Sequence, residues 1–119
     1  MNKVNLREKL SQIADYWNPR IAGELNGQQV KLVKFRGPFI WHYHDHEDEL
    51  FLVVKGSFVM EFRDKNVEVK EGEFLIVPRG TEHRPNAPEE VEVLLFEPAS
   101  TLNTGNLINE LTKENLSSI

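Results

Sequence analysis

The chain has 119 residues, with 14 Lys and Arg against 19 Asp and Glu for a net charge of −5, and no cysteine. That length suits one domain with its own core, and the acidic balance argues against nucleic acid or an anionic membrane surface as the main partner, since both need clustered cations. The lack of cysteine excludes disulfides, thiolate metal sites and a cysteine nucleophile, and no apolar run approaches the ~20 residues that span a bilayer.

Met1 to Leu10 mixes charged and apolar residues without the apolar stretch of a secretion signal, so a cytoplasmic protein is expected. A helix is predicted from Asn5 to Trp17, because Leu6, Leu10, Ile13 and Trp17 fall on one face. Asn5 is placed to cap it, Glu8 stands three residues on as in a capping box, and Pro19 ends it.

From Ile21 the pattern changes to strands. Asn26-Gly27 between two short runs predicts a hairpin turn with positive φ at both positions. Strands are then predicted over Gln28–Phe35, Phe39–His44, Leu50–Val54, Ser57–Arg63, Val67–Val69, Phe74–Val77 and Val91–Phe96, the last bounded by Pro88 and Pro98. Many short strands separated by turn residues signal a sandwich or a closed barrel. Phe51, Val53, Phe58, Met60, Phe62, Phe74 and Ile76 are expected to line its interior. Leu50 to Val54 and Leu94 to Phe96 are apolar on both faces, so the outer face needs a cover: the N-terminal helix or a second subunit, giving a homodimer. In the tail, Leu107, Ile108, Leu111 and Leu116 suit a short helix, and the tail is a candidate lid over the barrel mouth.

The chemistry concentrates in Trp41-His42-Tyr43-His44-Asp45-His46-Glu47-Asp48-Glu49, which holds three of the four histidines. On a strand, His42 and His44 point the same way and can present two imidazoles to one ion, with a carboxylate completing the set. A helical alternative places His42 and His46 at i, i+4, but the strand-like flanks and the lack of Glu after His42 oppose it. The fourth histidine, His83, follows Gly72, Pro78 and Gly80.

Together these residues resemble the two motifs of the cupin family. Gly37, His42, His44, Glu49 and Gly56 match the first, and Gly72, Pro78, Gly80 and His83 match the second, with the 15 residues Ser57–Glu71 between them. Two departures exist: one residue fewer separates Gly37 from His42, and the Asn that usually ends the second motif is displaced to Asn86. The resemblance implies an all-β, antiparallel jelly-roll barrel of a small bacterial cupin. Its N-terminal helix would span 1–18, its barrel 20–98 and a C-terminal extension 99–119, all in one domain. It further implies His42, His44, Glu49 and His83 as ligands of one divalent transition metal, zinc, manganese, iron or nickel.

Three histidines and one glutamate leave open coordination positions for a small molecule. Lewis-acid isomerase or epimerase chemistry and dioxygenase chemistry both suit such an ion, and the alternative is a binding or sensing module without turnover, or a purely structural metal. The base that Lewis-acid chemistry needs has Glu61, His46 and Glu82 as candidates, with Glu61 expected outward, and Arg84 is a candidate anion ligand or ion-pair partner.

Overall fold

A computed structural model of the chain describes residues 1–119. One short helix, α1 (Leu6–Ser11), precedes seven strands: β1 (Arg20–Leu25), β2 (Gln28–Pro38), β3 (Glu49–Lys55), β4 (Ser57–Phe62), β5 (Asn66–Lys70), β6 (Phe74–Val77) and β7 (His83–Pro98). All strand pairs are antiparallel, in the order β1-β2-β7-β3-β6, with β4 joining β7 to β5. The spine is β7. Its first residues pair with β4, its last with β3, and β2 runs along its other edge. One strand thus serves both walls, which is how this jelly-roll barrel curls around a single core.

That core is apolar and continuous. Val33 and Phe35 of β2, Phe51 and Val53 of β3, Phe58 and Met60 of β4 and Val91, Val93 and Leu95 of β7 are all buried. Each such side chain contributes roughly 1.5–3 kcal/mol on leaving water.

The helix is shorter than its apolar stripe predicts. Asn5 Oδ1 does accept from the Glu8 amide at 3.0 Å, as a cap should. The helix closes at Ser11, however, and Trp17 adopts φ 59°, outside any helix. Leu10 and Ile13 still pack on Leu32, Val54 and Leu94, covering part of the outer sheet face. Trp17 instead stacks on Phe35 and Phe39, with centroids 4.4 and 4.7 Å away.

Asn26 and Gly27 have φ 49° and 77°, the hairpin turn their order predicts. Other expectations need correction. Residues 39–48 form no strand; their one β-type pairing is an isolated bridge, His42 to His83. The last strand is longer than predicted, starting at His83 and running through Pro85 and Pro88, with a register break against β2 between Phe35 and Gly37 to absorb the irregularity. Phe74 and Ile76 face solvent, 61% and 52% exposed, because pairing opposite Leu52 and Leu50 turns them outward while Val77 is buried. No helix forms between Leu107 and Leu116. Turns fastened by the side chains of Asn103, Thr104, Asn109 and Thr112 take its place, and no helix anywhere is long and apolar enough to cross a membrane.

Candidate metal centre

Glu49 opens β3, His83 opens β7, and His42 and His44 sit on the irregular segment between β2 and β3. That segment is held by backbone. His42 N donates to His83 O at 3.1 Å, His83 N returns to His42 O at 2.9 Å, and Gly80 N donates to His44 O at 2.7 Å. Alternation along the bridged segment turns His42 and His44 inward, while Asp45 and His46 stay exposed. The four predicted ligands are all buried, and one donor atom from each lies within 4.8 Å of every other.

The tautomers are set by carbonyls, which can only accept. His42 Nδ1 donates to Ile40 O at 2.9 Å, and His83 Nδ1 to Thr81 O at 2.8 Å. Each ring therefore keeps its Nε2 lone pair inward, the arrangement a metal-ligating histidine shows. His44 Nε2 lies 2.8 Å and His83 Nε2 3.3 Å from Glu49 Oε1. All three atoms are buried. Two ligands at right angles on an ion at about 2.1 Å stand about 3 Å apart, so these separations fit a bound divalent ion. Burial, then the neighbouring His83, lowers the His42 pKa to about 4, so its ring is neutral and ready to ligate near pH 7. Burial raises the Glu49 carboxyl, but His44, His83 and Glu97 together bring it well below its ordinary value.

A small cavity of about 40 Å³ adjoins the cluster. His42 and Glu49 form part of its wall, Trp17, Phe35, Phe39 and Phe51 give it an aromatic lining, and Asn103 and Leu116 of the tail close over it. Two charged residues missed by sequence reasoning share this wall, Lys31 and Glu97. Their side chains are 2% and 3% exposed, and Lys31 Nζ donates to Glu97 Oε1 at 2.7 Å. Burial, then the charge of Glu49, raises the Glu97 carboxyl well above its ordinary value, against the pull of Lys31. A signal for both was present: Lys31 is in phase with the inward Val33 and Phe35, and Glu97 with the inward Val93 and Leu95.

The candidate bases named from sequence lie elsewhere. Glu61 is half-buried outside the cavity, where it accepts from Arg84 at 2.9 and 2.6 Å and from Asn86 at 2.9 Å. That pairing occupies Arg84 as well. Glu82 binds Arg63 on the surface, and His46 lies outside the aromatic cavity, in a separate pocket of about 200 Å³ that it shares with His44 and the tail residues Gly105 and Asn106. The tail also reaches the ligand segment directly. Asn106 N donates to Tyr43 O, and Asn106 Oδ1 accepts from Tyr43 N. Gly105, at φ 58°, lies so close that a Cβ there would meet Tyr43 O at 2.3 Å.

A small antiparallel jelly-roll barrel with a buried His-His-Glu-His cluster at one end defines a class of proteins able to hold one metal ion. Residues 31–97 match the Cupin_2 family, described as a cupin domain, and the chain belongs to that family. It is similar to a solved cupin-2 domain protein from Shewanella frigidimarina, at 41% identity and a TM-score of 0.79, over 80% of this chain and 93% of that one. It is 42% identical over 62 residues to the uncharacterised protein YdbB of Bacillus subtilis (strain 168), covering 51% of this chain and 55% of YdbB. It is also 28% identical over 101 residues to a 3-hydroxyanthranilate 3,4-dioxygenase of Xenopus laevis, covering 79% of this chain and 36% of the dioxygenase. The chain thus spans about half the length of the first curated relative and about a third of the second.

Proposed function

We propose that this cupin is a metal-dependent enzyme acting on a small molecule, with one zinc, manganese, iron or nickel ion held by His42, His44, Glu49 and His83. The observation that carries this is the convergence of four buried residues, His42, His44, Glu49 and His83, whose ligand atoms lie within 4.8 Å of one another. A divalent ion at that point takes the inward lone pairs of the imidazoles and the charge of the Glu49 carboxylate together. When bound, the ion supplies Lewis-acid polarisation of a substrate oxygen or, as Fe(II), activation of dioxygen.

The Lewis-acid, isomerase-like reaction is favoured by what else lines the cavity. Besides the ligands, its titratable groups are Lys31 and Glu97. Proton transfer to or from a bound substrate falls to Glu97, whose carboxyl is raised well above its ordinary value by burial and the charge of Glu49. The aromatic side chains exclude water from the reacting centre. The dioxygenase-like reaction is the second reading, favoured by the similarity to 3-hydroxyanthranilate 3,4-dioxygenase.

Elemental analysis of the purified protein decides between them. About one equivalent of iron leads to oxygen-consumption assays, and zinc, manganese or nickel leads to a screen of small keto-sugars and β-keto acids. Metal without turnover in either screen identifies a binding or sensing module. No metal, in chelator-free preparations, overturns the site.

We also propose a homodimer. Beyond the part covered by α1, the outer sheet face carries Phe74 and Ile76 beside Leu50, Leu52 and Phe96 across three adjacent strands. A contiguous apolar face of this kind marks an association surface.

A further inference from the structure

The buried Lys31–Glu97 pair needs an explanation that stability does not give. Replacing a buried ion pair with apolar residues of similar size is commonly neutral or stabilising, and this pair lies among aromatic side chains that would readily pack against such residues. Lys31 Nζ has three donors, and Glu97 Oε1 accepts from it at 2.7 Å as its one hydrogen-bond partner. Glu97 is also buried against the Glu49 carboxyl. Both residues line the same cavity as His42 and Glu49. A desolvated ammonium with unfilled donors, next to a candidate metal centre and walled by flat aromatic rings, is a recognition group for an anionic oxygen on a small planar molecule.

We propose that Lys31 binds the carboxylate of a small organic acid in this cavity, with Glu97 positioning the ammonium. The size of the space restricts the ligand. A water needs roughly 10–15 Å³ by the same measure, so 40 Å³ suits an acid of a few heavy atoms, of the 2-oxo acid class. The aromatic rings accept its planar body, and a 2-oxo oxygen faces the metal ligands. This deepens the proposed function and rests on it for the ion, whereas the Lys31 contact is a property of the chain itself.

The test is a calorimetric titration of the full-length protein, metal-loaded and chelator-treated, with pyruvate and with its uncharged amide. A charge-assisted hydrogen bond predicts that pyruvate binds about tenfold tighter than the amide. That preference persists in the chelated protein and disappears in the Lys31→Met/Glu97→Gln double variant, which stays folded and keeps its metal content. Equal affinities for acid and amide in the native protein overturn the inference, as does the absence of saturable pyruvate binding or an undiminished preference in the folded double variant. A protein that prefers pyruvate yet takes up no metal overturns the proposed function and leaves this inference standing. A metal-loaded protein without the preference does the reverse.

Discussion

His42 and His83 face each other across a single antiparallel bridge, exchanging backbone hydrogen bonds of 3.1 and 2.9 Å, with ring centroids 4.3 Å apart. The two cupin motifs are thereby joined by main chain at the point where their side chains meet.

Removing one member of that pair should abolish metal retention. His83→Ala is expected to lower bound metal from about one equivalent to near zero, and to abolish the rise in Tm that added zinc gives the native protein. Elemental analysis and thermal scans with and without metal check this. Full metal content in the variant would show that His83 is not a ligand.

Breaking the buried ion pair on one side should cost more than replacing both partners. Lys31→Ala leaves Glu97 buried without its cation, for a loss of about 3–5 kcal/mol, whereas Lys31→Met/Glu97→Gln recovers most of it. Urea unfolding of the two variants gives the comparison, and equal losses would argue against a coupled pair.

Gly105 leaves no space for a side chain. In Gly105→Ala the new Cβ meets Tyr43 O at 2.3 Å, and φ 58° disfavours alanine, so the tail must lift from the ligand segment. A loss of about 1–3 kcal/mol is expected, with faster hydrogen exchange at the Asn106 amide and weaker metal retention. Unchanged exchange at that amide would show that the tail does not clamp the ligand segment.

Acid should act on the centre through two opposed groups. His42 has a pKa near 4 when folded and 6.5 when free, so the unfolded chain binds more protons in between, and its contribution is lost as pH falls from 6.5. Glu97 is raised, so its contribution is complete below its free value of 4.5 and fades as pH rises through the folded value. The two slopes oppose each other in metal-free native protein. Glu97→Gln removes one of them, and the variant should lose about 2–3 kcal/mol between pH 6.5 and 4.5 by urea unfolding in chelator. A flat profile in the variant would contradict the burial of a neutral His42.

The outer apolar face makes the dimer testable. Light scattering should give twice the 13.8 kDa chain mass for the native protein and a single chain for Phe74→Glu/Ile76→Lys. A native monomer would refute the interface.

Most strands, and the four residues that the fold brings together, were legible in the sequence because strand alternation, turn residues and motif spacing are local signals. Asn26-Gly27 is the clearest case, since its two residues tolerate the φ values that the turn requires. Phe74 and Ile76 were misplaced because a four-residue apolar run, Phe74 to Val77, carries no phase of its own; only pairing with β3 chooses its inner face. Residues 39–48 and β7 depart from expectation because non-local pairing decides both: β7 extends back to His83 along β4, while 39–48 meet it only at the His42–His83 bridge. Lys31 and Glu97 were readable in phase, but charge at an inward position runs against the usual rule that strands bury apolar residues, and the rule hid them.

The convergence of ligand atoms within 4.8 Å has a practical side. Imidazole and carboxylate donors suit several divalent ions, so if the four residues ligate as proposed, supply during purification weighs on occupancy, with copper and nickel ahead of manganese and iron in the Irving–Williams order. Protein isolated over nickel resin will record the resin. The physiological metal is best sought in untagged protein, from cells grown with each candidate ion in turn.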